Sequence, residues 1–409
     1  MWNTALDRVL SHLVRQGELS VTYPDGSVRR YGNGAPRSSV HLKSPSLPRR
    51  LVLTPQMALG EGYMDGELTI DGDDLRGFMD LIVRNAALNG LPGPQRLFEI
   101  LRRMGRRLAQ FNPAPRSRRN VAHHYDLSGE LYDLFLDADR QYSCAYYPRP
   151  DMTLEEAQEA KKHHIARKLL IAPGMRVLDI GCGWGGMGLT LARDYGAQVV
   201  GVTLSREQHA VATRRAQEAG LSDKVRFELM DYRNVRGPFD RIVSVGMFEH
   251  VGVPHYREYF AKVNDLLTPE GIALIHTIGR TTPPGATSPW ITKYIFPGGY
   301  CPSLSETMEA VELSGLGSTD VEVWRLHYAE TLKEWLRRFE ANEDRARALY
   351  DERFCRMWRF YLLASEYTFR HAGQVVFQMQ LSRAQEAVPL TRDYLYPVPD
   401  AGSRKLAAE

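Results

Sequence analysis

Cysteine is scarce in this 409-residue chain: Cys144, Cys182, Cys301 and Cys355 stand far apart, with no C-x-x-C pair and no histidine pair at ligand spacing. That argues against a disulfide framework and a zinc site, and fits a reducing cytoplasm. His123 and His124 are adjacent, so they face different sides of any regular element and no metal is expected. Long apolar runs are missing as well. None approaches the ~18 residues of a membrane span, and Met1–Gln16 interrupts its apolar pattern with Asp7 and Arg8, unlike a secretion signal. Neither charge sign dominates, the formal net charge being +3. With 43% hydrophobic and 25% charged residues, the composition is that of an ordinary soluble globular protein. The length suggests two or three domains.

What is present divides into three parts. Residues 1–90 read as a small α+β domain with its own core: a helix over 2–16, a hairpin of 19–23 and 27–31 around Pro24-Asp25-Gly26, strands at 39–42, 50–53 and 68–70, and helices at 57–65 and 74–84. It shows no catalytic pattern and is either a structural or dimerising module or a substrate-binding one. Residues 91–119, bracketed by prolines, read as a basic amphipathic helix and linker. Leu97, Ile100, Leu101, Met104 and Leu108 form one stripe, flanked by Arg96, Arg102, Arg103, Arg106 and Arg107. Such a helix suits an anionic membrane surface, held peripherally. Its aromatics are too few for a nucleic-acid partner, and a solvated interdomain face is the plain alternative.

From residue 120 to 409 strands and helices alternate, with a helix over 154–170 capped by Thr153 and strands at 176–180, 198–202, 225–230, 240–245 and 271–277. This spacing predicts a parallel doubly wound sheet with its ligand at the carboxyl ends of the strands. Two late strands, 320–325 and 375–380, enclose a helical stretch over 331–369. Within the sheet, VLDIGCGWGG (177–186) reads as strand, glycine turn and helix, a device that brings backbone N–H groups to a nucleotide-like ligand. A nicotinamide site wants an acid about 20 residues further on, and the second strand ends instead in Thr203. Asp179, two residues before the first glycine, can face a ligand's ammonium group.

The opening of that motif resembles motif I of the class I S-adenosylmethionine (SAM) methyltransferases. HHYDLSGELYDLFLD (123–137), YSCAYY (142–147), GVTLSREQ (201–208), FEHVG (248–252), HTIG (276–279) and WITKYIFPGG (290–299) follow in order. Together they resemble the cyclopropane-fatty-acyl-phospholipid synthase family over roughly residues 57–382, and GEGYMDGEL (60–68) is similar to the first module of its long bacterial members. The resemblance implies a Rossmann-like α/β fold with a seven-stranded sheet, and a SAM-dependent lipid C-methyltransferase. It implies SAM contacts from Tyr142, Ser143, Asp179, Gly181, Gly183, Trp184, Thr203, Leu204, Gln208, Asp231 and Tyr232. The reaction implied is methyl transfer to the double bond of an unsaturated phospholipid acyl chain, with ring closure through a carbocation deprotonated by bound bicarbonate. The positions matching the bicarbonate site are Cys144, Glu249, His276, the backbone at Ile278, and Tyr328, with Glu249 and His276 ending successive strands. A homodimer at the inner face of the membrane is also implied.

One departure stands out. Ser365 occupies the place of a cysteine that many members carry in a late helix, and Glu366 follows it. If Glu366 lined the acyl tunnel it could redirect the proton that leaves, giving a methyl-branched unsaturated chain in place of a cyclopropane. A small-molecule N-methyltransferase is the further alternative.

Overall fold

The computed structural model describes residues 1–90, 102–103, 105–106, 110–112 and 128–396. His123, His124 and most of the 91–119 helix lie outside the described residues.

The first region carries a four-stranded sheet, order β2-β1-β3-β4, from β1 (Gly17–Thr22), β2 (Val28–Asn33), β3 (Arg37–Leu42) and β4 (Leu68–Ile70). Leu19, Val21, Val40 and Leu42 alternate inward and meet the helices Trp2–Leu13 and Leu75–Asn89. Asp74 caps the second of these helices by accepting from the Gly77 N–H. The strand expected at 50–53 is instead part of the helix Leu47–Leu53. A short apolar run does not distinguish the two, and Pro48 in the first turn favours the helix.

The core expected to belong to this region alone is shared. Leu19, Tyr63 and Phe78 belong to one continuous apolar cluster with Trp290, Trp335, Trp358 and Phe360 of the remainder. Around it the first region offers acids and the helix Glu352–His371 offers bases: Arg353 to Asp65, Arg359 to Asp73 and His371 to Asp80, each at 2.7 Å.

The second sheet has seven strands in the order β10-β11-β9-β8-β5-β6-β7. These are β5 (Arg176–Ile180), β6 (Gln198–Thr203), β7 (Val225–Leu229), β8 (Phe239–Val245), β9 (Leu267–Arg280), β10 (Gly317–Trp324) and β11 (Gln374–Ser382). β5 to β9 pair in parallel, and β11 enters antiparallel between β9 and β10. The chain order reverses at β5, which lies between β8 and β6, so the crevice for a ligand opens at its carboxyl end. The fold is the Rossmann-like α/β architecture expected. The single helical stretch expected over 331–369 breaks into His327–Ala341, Glu343–Leu349 and Glu352–His371, the last capped by Asp351.

Candidate active site

Two adjoining cavities occupy the switch point. The larger is lined by all eleven residues expected to hold SAM, and the smaller by all five expected around bicarbonate. Tyr142, Ser143, Gly246 and His250 line both, so they form the partition.

The donor cavity is shaped by the glycine turn. Gly181 has φ +79 and Gly185 φ +87, values that L side chains avoid. A Cβ on Gly181 would lie 2.8 Å from the Met247 side chain, and one on Gly185 would lie 2.7 Å from the Phe227 ring. Asp179, at 2% exposure, is buried beneath the turn and its Oδ2 has no hydrogen-bond partner among the described residues. Burial alone pushes its carboxyl up to about 7. An ionised carboxylate here is left without a cation among the described residues. Thr203 donates to Gln208 Oε1 at 2.9 Å, and Ser205 caps the helix Arg206–Glu218 on which Gln208 sits. Leu204 and Trp184 add apolar wall, Arg140 lying 5.1 Å over the Trp184 ring. Asp231 is gripped in a fork by Arg233, at 2.8 and 2.7 Å, and Arg233 also covers the Tyr232 ring.

Sequence reasoning missed the support under Tyr142 and Ser143. Lys161, on the helix Leu154–Lys168, is fully buried and donates to Ser143 Oγ at 2.7 Å and Gln141 Oε1 at 2.8 Å. Burial lowers its ammonium to about 8, with Asp137 opposing. A lysine in an amphipathic helix reads as solvated, and only the tertiary fold buries this one. Asn112 also lines the donor cavity, donating to the His250 carbonyl at 2.7 Å, although the sequence boundary assigned it to the linker.

The acceptor cavity is walled by Ile291, Phe296, Tyr300 and Tyr328. Glu249 sits in a short turn beyond β8 and His276 lies within β9, so they do not end successive strands as expected. β9 runs on past the end of β8, still paired with β11, as a 14-residue strand, which the 271–277 alternation understates. Glu249 is buried. Its Oε1 accepts from the Ile278 N–H at 2.6 Å while Oε2 has no partner among the described residues, and burial raises the carboxyl to about 7 against that bond. The Ile278 backbone therefore anchors Glu249. Burial holds the Cys144 thiol and the Tyr328 hydroxyl above their ordinary ranges, so both stay protonated. His276 is pushed low by burial and by Lys161 and Lys168, which keeps it neutral. His250, between the cavities, falls to about 4 through burial.

Glu366 does not line either cavity. It is buried and bound by Arg76 from the first region, at 3.0 and 3.1 Å, and by Arg370 at 2.9 Å. The expected tunnel role is thus corrected: two guanidinium groups already occupy the carboxylate. Two arginines of the basic helix also turn inward, against the membrane-facing expectation. Arg102 bonds Gln56 and the Thr287 carbonyl, and Arg106 pairs with Glu306 at 3.3 Å.

The family model described as mycolic acid cyclopropane synthetase matches residues 113–379, and a domain of unknown function (DUF7884) matches residues 5–88. The cyclopropane-fatty-acyl-phospholipid synthase of Escherichia coli (strain K12) is 41% identical over 357 residues, covering 87% of this chain and 90% of that protein. The chain belongs to the cyclopropane synthase family. It is a SAM-dependent methyltransferase. The tuberculostearic acid methyltransferase UfaA1 of Mycobacterium tuberculosis is 36% identical over 407 residues, covering 93% of this chain and 90% of that protein. Among solved structures, mycolic acid cyclopropane synthase CmaA1 complexed with SAH and CTAB aligns with TM-score 0.63 at 35% identity, over 67% of this chain and 99% of that one. The unpartnered Asp179 Oδ2 at the end of β5 fits the ammonium of SAM.

Proposed function

We propose that this enzyme methylates the double bond of an unsaturated phospholipid acyl chain and closes a cyclopropane ring. The observation that carries the reading is the acceptor cavity itself. Its walls are mostly apolar and aromatic, yet one carboxyl with a free oxygen projects into the group. An amine acceptor also loses a proton and would be served by a carboxylate, but the apolar and aromatic walls suit an acyl chain, and a carbon acceptor needs both that wall and a proton-handling group.

SAM, when bound, supplies an electrophilic methyl group, which the alkene π pair takes up to leave a carbocation on the chain. Asp179 binds the ammonium end of the donor, Tyr142 and Ser143 close over its amino-acid part, Thr203 and Gln208 face the ribose, and Asp231 with Tyr232 the adenine. Gly181, Gly183, Trp184 and Leu204 shape the floor. An alkene is a weak nucleophile, so much of the rate comes from holding it in line. The Phe296 and Tyr328 rings in the wall favour positive charge and exclude water from it.

The residues around Glu249 fit a small oxyanion. Neutral His276 and the Tyr328 hydroxyl can donate, the Cys144 thiol, which gives its proton to the Ala145 carbonyl, lines the wall, and Glu249, at about 7, can hold a proton toward the anion. A bicarbonate ion held there supplies the base for ring closure. The substrate reaches the enzyme from a membrane surface, although no described helix is long and apolar enough to cross one. Arg103, exposed on the basic segment, suits an anionic surface, and a homodimer is part of the same proposal. A methyl-branched product is the second reading, favoured by the likeness to a tuberculostearic acid methyltransferase and no longer by Glu366. The test is incubation of SAM and the protein with vesicles of monounsaturated phospholipid. Mass spectrometry of the lipid should show the gain of one methylene per reacting chain; no gain would refute the reading.

A further inference from the structure

His276 stands opposite Gln378 in the β9–β11 ladder, and Gln378 stands opposite Glu322 in the β10–β11 ladder. Residues directly opposite share a face, so the three side chains form one row leading outward from the acceptor cavity. Gln378 is fully buried and lines neither cavity. Its Nε2 lies 3.1 Å from His276 Nδ1 and is the one hydrogen-bond partner of the imidazole among the described residues. Trp324 stands edge-on to the ring at 5.2 Å.

A primary amide fixes the tautomer of an imidazole, because its nitrogen only donates and its oxygen only accepts. With Gln378 Nε2 donating, Nδ1 carries no proton and the neutral ring carries it on Nε2. The opposite arrangement, with Oε1 accepting from Nδ1–H, would turn an NH2 group with two donors to where Oε1 now lies without a partner. Buried acceptors go unpaired more readily than buried donors. The charges around the ring agree. Lys161 and Lys168 from the covering helix disfavour an imidazolium, and Glu322, whose charge would favour one, is occupied by Lys168 at 2.6 Å and His164 at 2.7 Å.

We propose that Gln378 is a positioning residue that holds His276 as the neutral Nε2–H tautomer, so that the imidazole offers the acceptor cavity a hydrogen-bond donor. What receives that bond rests on the function proposed above; the tautomer does not. It follows that His276 steadies an anion or carboxylate and is not the base that removes the proton.

The test is a two-bond proton–nitrogen correlation spectrum of the full-length protein labelled with 15N-histidine, with His276→Asn identifying the signal. The expected wild-type ring is neutral at neutral pH with its proton on Nε2. Gln378→Leu should mix the two tautomers and lower kcat at least about tenfold, a modest part of what a placed proton-transfer group contributes, while SAH affinity is unchanged. Gln378→Glu, whose carboxylate accepts, should move the proton to Nδ1. A wild-type ring protonated on Nδ1, or an imidazolium, overturns the proposal without any variant. So does a Gln378→Leu protein with both tautomer and kcat unchanged. Failure to methylate lipid would count against the proposed function alone, since the spectrum reads the ring without turnover.

Discussion

Asp179 and Glu249 are buried carboxylates in adjoining cavities, and burial raises both to about 7. The protein treats them differently. Around Asp179 no described residue offsets the burial, which suits the proposed role of meeting a cation that arrives with the ligand. Glu249 is tethered through one oxygen by the Ile278 N–H, which fixes its direction and leaves the other oxygen for a proton. Glu366 completes the comparison. It is equally buried but paired with Arg76 and Arg370, and so is spent on holding two regions together. A buried acid's role is read from what its second oxygen meets, not from its burial.

The comparison can be broken by experiment. Glu249→Gln keeps the shape and the Ile278 bond but cannot exchange a proton. Turnover should fall by about 10²–10⁴-fold, with SAH binding by calorimetry unchanged; an active variant would remove Glu249 from the chemistry. Asp179→Asn should instead weaken SAH binding by about 1.5–3 kcal/mol, the worth of a charge-assisted hydrogen bond, with a smaller effect on kcat at saturating SAM.

The pH dependence separates the two further. Below about 7 ligand-free Asp179 is protonated, and an ammonium binds the ionised form. SAH affinity should therefore rise with pH up to about 7 and level off above it, by at most tenfold per unit. Asp179→Asn should flatten the profile, whereas Glu249→Gln should leave it in place. The smallest effect belongs to the third acid. Arg76→Met removes one of two partners of Glu366, and since Arg76 is partly exposed the loss should be about 1 kcal/mol in denaturant unfolding. The lipid product should not change; a changed product would restore Glu366 to the chemistry.

Much of this was legible in the sequence because local pattern and local structure agreed. VLDIGCGWGG forms its strand and turn where the spacing requires, and every expected donor and acceptor residue lines its cavity. What escaped was set by distant packing. Lys161 and Gln378 look like surface polar residues until the helix Leu154–Lys168 and the inserted β11 bury them. Glu366 beside Ser365 invited a chemical role, and only the arrival of Arg76, 290 residues away in the chain, shows a structural one. The helix Leu47–Leu53 was misread because three apolar residues in a row fit either element.

The central claim is that the tethered, protonable Glu249 serves ring closure on a lipid alkene. Proton NMR of the lipid recovered after reaction of SAM with monounsaturated phospholipid vesicles tests it most directly. Upfield cyclopropane ring protons should appear as the vinyl protons disappear. A new methyl signal with vinyl protons retained would contradict ring closure and assign the proton loss to the chain.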